Sequence, residues 1–249
     1  ISHSSMTSTL NVFTENTEQA KYAYQHGLQT YIKEAENLSR FYAMPGIVSV
    51  RDFFYGNNTA YIVMEYIEGI DLRRYAKQLG GKIPPDVLFS MLKEVIAALN
   101  EVHKENIIHR DISPDNIMVT REGRAKVIDF GAAKEYHSGK DNSILLKHGY
   151  APIEQYDAHG KQGPWTDVYS LCGSIFYLLT GRKPQRAYER VSEDKMVSLR
   201  QMGVHISEEK SQAVEKGLSV QIEDRYQQMA DLYYDLYGET LSGEMGKQS

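Results

Sequence analysis

The chain has 249 residues, 41% hydrophobic and 24% charged, which is enough for one large domain or two small lobes around a buried core. A formal net charge of −5 speaks against a general nucleic-acid or membrane binder, and no apolar run reaches the length of a membrane span. The single cysteine, Cys172, excludes an intramolecular disulfide framework and suits a reducing, cytoplasmic setting.

Residues 1–16 are rich in Ser, Thr and Asn, with a strand-like piece over 9–13. Over 17–42 the residues Ala20, Tyr24, Leu28, Ile32, Ala35 and Leu38 recur at three- and four-residue steps, which predicts a helix. Gly27 reads as a bend or break within it, and Met44-Pro45-Gly46 as its stop. Two apolar runs, 47–55 and 59–66, flank Gly56-Asn57-Asn58 and predict a β-hairpin. Beyond Gly69 most of the chain reads as helix, most strongly over 86–104 and 166–180, the second closed by Gly181. Short strands over 117–119 and 125–128 flank the turn Arg121-Glu122-Gly123. The economical architecture is α+β: a small sheet-containing lobe over 1–67 joined to a larger, mainly helical lobe over 68–249. The 18 tyrosines read as packing residues with a polar tip.

The chemistry concentrates in two short stretches. His109-Arg110-Asp111-Ile112-Ser113-Pro114-Asp115-Asn116 follows a helix and precedes a strand, and Asp129-Phe130-Gly131 follows the next strand. They place a carboxylate, a carboxamide and a second carboxylate on neighbouring loops. Phosphoryl transfer asks for metal ions that neutralise the phosphates and a group that receives the acceptor's proton. Asn116 and Asp129 are hard oxygen ligands suited to magnesium, and Asp111 can orient the attacking hydroxyl.

The two stretches resemble the H-R-D-x-x-x-x-N catalytic loop and the D-F-G motif of protein kinases, in the family's order and approximate spacing. Tyr150-Ala151-Pro152-Ile153-Glu154 is similar to the A-P-E segment with one extra residue. Asp167 resembles the aspartate of the buried helix that holds the catalytic loop, and Arg225 the arginine that pairs with Glu154. The stretch 32–69 looks closest to bacterial, eukaryotic-like Ser/Thr kinases. The resemblance implies a two-lobe kinase fold, ATP and Mg2+ as cofactors, and a protein substrate. It makes Glu34 the partner of an ATP-gripping lysine and Met64 the gatekeeper. It gives Glu65 and Ile67 backbone bonds to adenine, Asp71 the ribose and Met118 the adenine floor, with Leu38, Val50, Phe130 and His109 stacked as an internal spine. Arg110 implies control by activation-loop phosphorylation, with Ser138 and Ser143 as acceptors.

Three departures shape the expectation. The family's glycine-rich loop and strand lysine have no counterpart: the first glycine is Gly27, and neither Lys21 nor Lys33 follows a β-like triplet. The resemblance therefore implies a small lobe without its first strands and weak or absent activity in the chain as given. The exposed hairpin edge is expected to lean on the 17–42 helix, to pair with the strand over 9–13, or to pair with a second copy, with a tendency to dimerise. Ser113 stands where Ser/Thr kinases carry a lysine, and Lys147 stands near the place of a bridging threonine. Lys147 is expected to return the missing charge. Two other readings stay open: a silent pseudokinase acting as a binding module, and a small-molecule phosphotransferase of the aminoglycoside or choline kinase kind. Arg110, Glu154, Asp167 and Arg225 favour the protein kinase over the latter.

Overall fold

The computed structural model describes residues 5–6, 12–13, 18–130, 134–135, 146–157 and 159–241, with Glu34 and a few other helix and strand residues described by their backbone alone. Gly131, Ser138 and Ser143 lie outside the described residues. The chain divides into two compact units, residues 1–44 with 48–66, and residues 45–47 with 67–249.

In the smaller unit, β1 (Ser5–Met6) pairs antiparallel with β2 (Val12–Phe13), so the strand read over 9–13 meets its own short partner rather than the hairpin. Helix α1 (Glu18–Ser39) runs unbroken through Gly27. Nothing crowds that glycine, so its cost of about 1 kcal/mol is conformational, and packing of the helix outweighs it. Ile32, Ala35 and Leu38, three residues apart, form its buried stripe, and the helix lies on the hairpin of β3 (Val50–Gly56) and β4 (Thr59–Met64). The hairpin turn is the pair Asn57-Asn58, at φ +52 and +58°, the left-handed values of a two-residue turn whose twist matches the strands. Gly56 is thus the last strand residue rather than part of the turn. The Tyr24 hydroxyl donates to the Asn58 carbonyl at 2.8 Å and ties helix to turn.

The larger unit is helical around a small sheet. Strand β5 (Gly69–Asp71) leads into α2 (Leu72–Gln78), then α3 (Pro85–Lys104) and β6 (Ile107–Ile108). Strands β7 (Ile117–Thr120) and β8 (Ala125–Val127) form a hairpin beside β5 in the order β5-β7-β8, and β9 (Lys134–Glu135) pairs with β6. Helices α4 (Pro164–Thr180), α5 (Ala187–Ser192), α6 (Glu208–Gly217) and α7 (Met229–Tyr237) complete it. Leu88, Leu92, Val95, Ile96 and Leu99 of α3 and nearly all of α4 are buried, so α4 is the axis of the core. Gly181 at φ +73° caps α4, its N–H donating to the Tyr177 carbonyl. No helix among the described residues is long and apolar enough to cross a membrane.

Cys172 of α4 is fully buried against Gly217 of α6, where an added Cβ would come within 2.2 Å of the sulfur. Burial pushes the thiol up to about 12. A thiolate reagent should therefore label no thiol in the folded chain and one per chain in denaturant, as Ellman titration would read. Labelling at the same rate in both conditions would contradict this packing.

Candidate functional site

The β7–β8 hairpin explains why two distant stretches of sequence meet. Ile117 pairs with Val127, so Asn116 and Ile128 flank the same end of the ladder, and the Ile128 N–H donates to the Asn116 carbonyl at 2.9 Å. Asp129 follows directly, at φ +61°. Arg110 sits at φ +69°, so each loop holds one non-glycine residue in the left-handed region, a strain the surroundings must sustain.

Asp167, fully buried near the start of α4, sustains the first of these. Its Oδ2 accepts from the His109 N–H at 2.7 Å and its Oδ1 from the Arg110 N–H at 2.8 Å, while His103 Nε2 lies 2.8 Å from Oδ2. Burial alone would raise this carboxyl. The hydrogen bond from His103 and the His109 N–H outweigh burial and hold Asp167 below its ordinary range. Gln155 grips the loop from the other side, its Nε2 donating to the Arg110 carbonyl at 2.8 Å. His109 donates from Nε2 to the Ile128 carbonyl at 3.1 Å and accepts at Nδ1 from the Asp111 N–H at 3.2 Å, an arrangement for the neutral ring. Burial lowers its pKa accordingly. Its ring lies 4.5 Å from that of Phe130, so two members of the expected spine touch. Leu38 and Val50 are buried in the smaller unit.

Around Asp111 two donors converge. Asn116 Nδ2 donates to the Asp111 carbonyl at 2.9 Å and to its Oδ2 at 2.8 Å. Lys147 Nζ lies 2.8 Å from the same Oδ2 and donates to the buried Ser113 hydroxyl at 3.1 Å. A cation is therefore present beside Asp111, delivered from a different segment than the loop itself. Because the Asn116 amide nitrogen is spent on Asp111, its carbonyl oxygen is the atom left for a cation. Among the described residues no three His, Cys, Asp or Glu side chains could form a metal cage. An asparagine and an aspartate fit a hard cation that keeps most of its other ligands from water and phosphate.

The other expected site residues divide between the units. Met64 ends β4, 48% exposed. Glu65 braces its own unit, its N–H donating to the Ser49 carbonyl and its Oε1 accepting from the Ser49 N–H. Ile67 belongs to the larger unit and is half-buried. Asp71 and Met118 are cross-strand partners in β5 and β7. Asp71 is also the N-cap of α2, accepting from the Arg74 N–H at 2.8 Å, so a capping duty occupies the side chain expected at the ribose. Glu34 lies on α1.

Two features are not visible in the sequence. His103 reads as an ordinary basic residue at a helix end but is buried on Asp167. Arg73 clamps Asp115 through two bonds of 2.5 and 2.8 Å, donates to the Tyr150 hydroxyl at 3.2 Å and lies 4.8 Å over the Tyr177 ring. That hydrogen-bonded pair lowers the Asp115 pKa and raises that of Arg73. Glu154 and Arg225 pair at 2.8 Å with both side chains buried.

Comparison with known proteins places this geometry. A family model described as protein kinase domain matches residues 10–234. The chain is 34% identical to the serine/threonine-protein kinase PknB of Mycobacterium leprae over 82% of its own length and 35% of that protein's. It is 35% identical to PrkC of Bacillus subtilis over 63% of its length, 24% of PrkC. The solved apo structure of PpkA-294 aligns with a TM-score of 0.80 and 32% identity, covering 94% of this chain and 83% of that one. The matches thus span about a quarter to a third of the curated relatives.

Proposed function

The chain belongs to the protein kinase family, its fold and relatives being those of serine/threonine kinases, and on that premise we propose that it moves the γ-phosphoryl group of ATP to a serine or threonine hydroxyl of a protein, weakly in the chain as given, which has no counterpart of the glycine-rich loop and strand lysine. The observation that carries this is the convergence of Asn116 and Lys147 on the Asp111 carboxylate. Bound ATP supplies the phosphoryl group, and the family's divalent cation, here proposed as Mg2+, neutralises its charge. Asn116 and Asp129 would hold the cation. Asp111 orients the acceptor hydroxyl and receives its proton as the oxygen bonds to phosphorus and the bond to the ADP oxygen breaks. The resemblance carries Met64, Glu65, Ile67, Asp71 and Met118 to the nucleoside and Glu34 to the role of partner for a phosphate-gripping lysine.

Calorimetry of MgATP against the chain and its Asp129→Asn variant tests this. Binding that the variant weakens at least about tenfold supports it, the size of one lost charged ligand. Absence of binding removes it.

Lys147 gives a sharper expectation. Lys147→Ala should slow phosphoryl transfer by about 10²-fold, as when one preorganised donor is lost, with nucleotide affinity nearly unchanged. Adding Ser113→Lys should recover much of the rate. Equal loss in binding and transfer, or no loss, would dismiss the role.

The hairpin also supports a partner. Among the described residues β3 and β4 pair only with each other, and Phe54, Tyr61 and Val63 are more than a third exposed. A second copy of the chain covers that edge. Analytical ultracentrifugation should show a mass rising with concentration, and a constant monomer mass would exclude it.

A further inference from the structure

The larger unit carries a positive face that begins at Lys183, beside Gly149 and Tyr150. At its far end a cavity of about 630 Å3 opens where α4 ends, walled by Lys82, Arg182, Lys183 and Lys195 and floored by Phe176 and Met202. No Asp or Glu lines it. Lys195 shares Glu193 at 2.8 Å, whereas Lys82, Arg182 and Lys183 are exposed and form no ion pair among the described residues. In a chain of net charge −5 this is a local reversal of sign.

The cavity connects to the site through one residue. The Lys183 Cβ lies 3.5 Å from where a Cβ on Gly149 would stand, and its Nζ lies 5.8 Å from the centre of the Tyr150 ring. Gly149 is two residues from Lys147, whose ammonium touches Asp111. Asp115, the other carboxylate of the catalytic loop, is already cancelled by Arg73, with Lys147 and Lys183 adding to the field on it. A polypeptide lying across this face therefore meets cations on leaving the acceptor position.

We infer that the face from Lys183 to the cavity, adjoining the segment that carries Lys147, docks an acidic segment of the protein substrate, placing Asp or Glu side chains a few residues from the acceptor hydroxyl. This rests on the kinase reading of Asp111. Each exposed pair contributes little alone, so recognition comes from several cations acting together and weakens with salt.

The test uses a fluorescein-labelled 12-residue peptide with a central Ser between Asp and Glu residues, and its Lys/Arg counterpart, in anisotropy titrations against the whole chain. The acidic peptide should bind, the basic one should not, and raising salt from about 50 to about 300 mM should weaken binding several-fold. The exposed double variant Arg182→Glu with Lys183→Glu, and separately Lys82→Glu, should each keep the circular dichroism melt. The double variant should lose about tenfold in affinity, as two reversed charges near a bound anion imply. Equal binding of the basic peptide overturns the inference. So does a double variant within about twofold of the parent, or a single-stranded oligonucleotide that displaces the peptide more tightly than the peptide binds itself. MgATP calorimetry on the same samples separates the two readings. Acidic-peptide binding without MgATP binding keeps the docking surface and removes phosphoryl transfer; transfer to the basic peptide alone does the reverse.

Discussion

Asp111→Asn is expected to lower phosphoryl transfer by about 10²- to 10⁴-fold, the range for a lost general base, while MgATP affinity stays within about twofold. The reason lies in what holds the carboxylate. Asn116 and Lys147 both direct donors at Oδ2, so that oxygen is fixed and the remainder of the carboxylate is left for the acceptor. An asparagine in its place keeps the volume but removes the charge that receives the proton and that balances Lys147. The pair of measurements is single-turnover transfer and calorimetry. A parallel fall in both would mean that Asp111 serves nucleotide binding, and an unchanged rate would remove it from the chemistry.

The second large effect is on stability. Arg225→Ala should destabilise the larger unit by about 3–5 kcal/mol, because it strands a buried carboxylate. The Arg225 side chain is fully buried and that of Glu154 nearly so. Beyond Glu154, the guanidinium donates to the carbonyls of Trp165, Ser219 and Val220 and lies 4.9 Å over the Tyr169 ring. Removing it therefore orphans three carbonyls as well as the carboxylate. Urea unfolding should show a lowered midpoint, and the melting temperature should fall by roughly 10 °C for a unit of this size. The double change Glu154→Leu with Arg225→Met should lose less than Arg225→Ala, since it leaves no buried charge alone. A single variant within about 1 kcal/mol of the parent would show that the pair is incidental.

Residues whose role is local, or tied to a short motif, are legible in the sequence itself. The two loops, the helices around Leu92 and Tyr169, and the long-range partners Glu154 and Arg225 all follow from patterns of a few residues. The place of Lys147 beside the catalytic loop is expected from the resemblance, which puts a lysine where Ser113 stands, and its ammonium does lie on Asp111 and Ser113. Arg73 is not legible, because a cation on a short amphipathic helix looks like any solvated face, and its partner Asp115 lies 42 residues on. Gly27 misleads because propensity is a weak guide inside a helix whose stripe of Ile32, Ala35 and Leu38 is buried. Asp71 is visible as a polar residue near the crossing between units, yet the backbone of α2 claims it first as a cap.

The grip of Asp167 has an evolutionary consequence. It addresses the main-chain N–H groups of His109 and Arg110, which every residue type except proline supplies, so it enforces the loop's path without reading its side chains. Side chains beyond the grip are thereby released from the task of shaping the loop and can drift one at a time. Lys147, which reaches Asp111 and the Ser113 hydroxyl from another segment, is the kind of contact such a scaffold leaves free to vary. The loop's course and the identity of the cation beside Asp111 are thus set by separate parts of the chain.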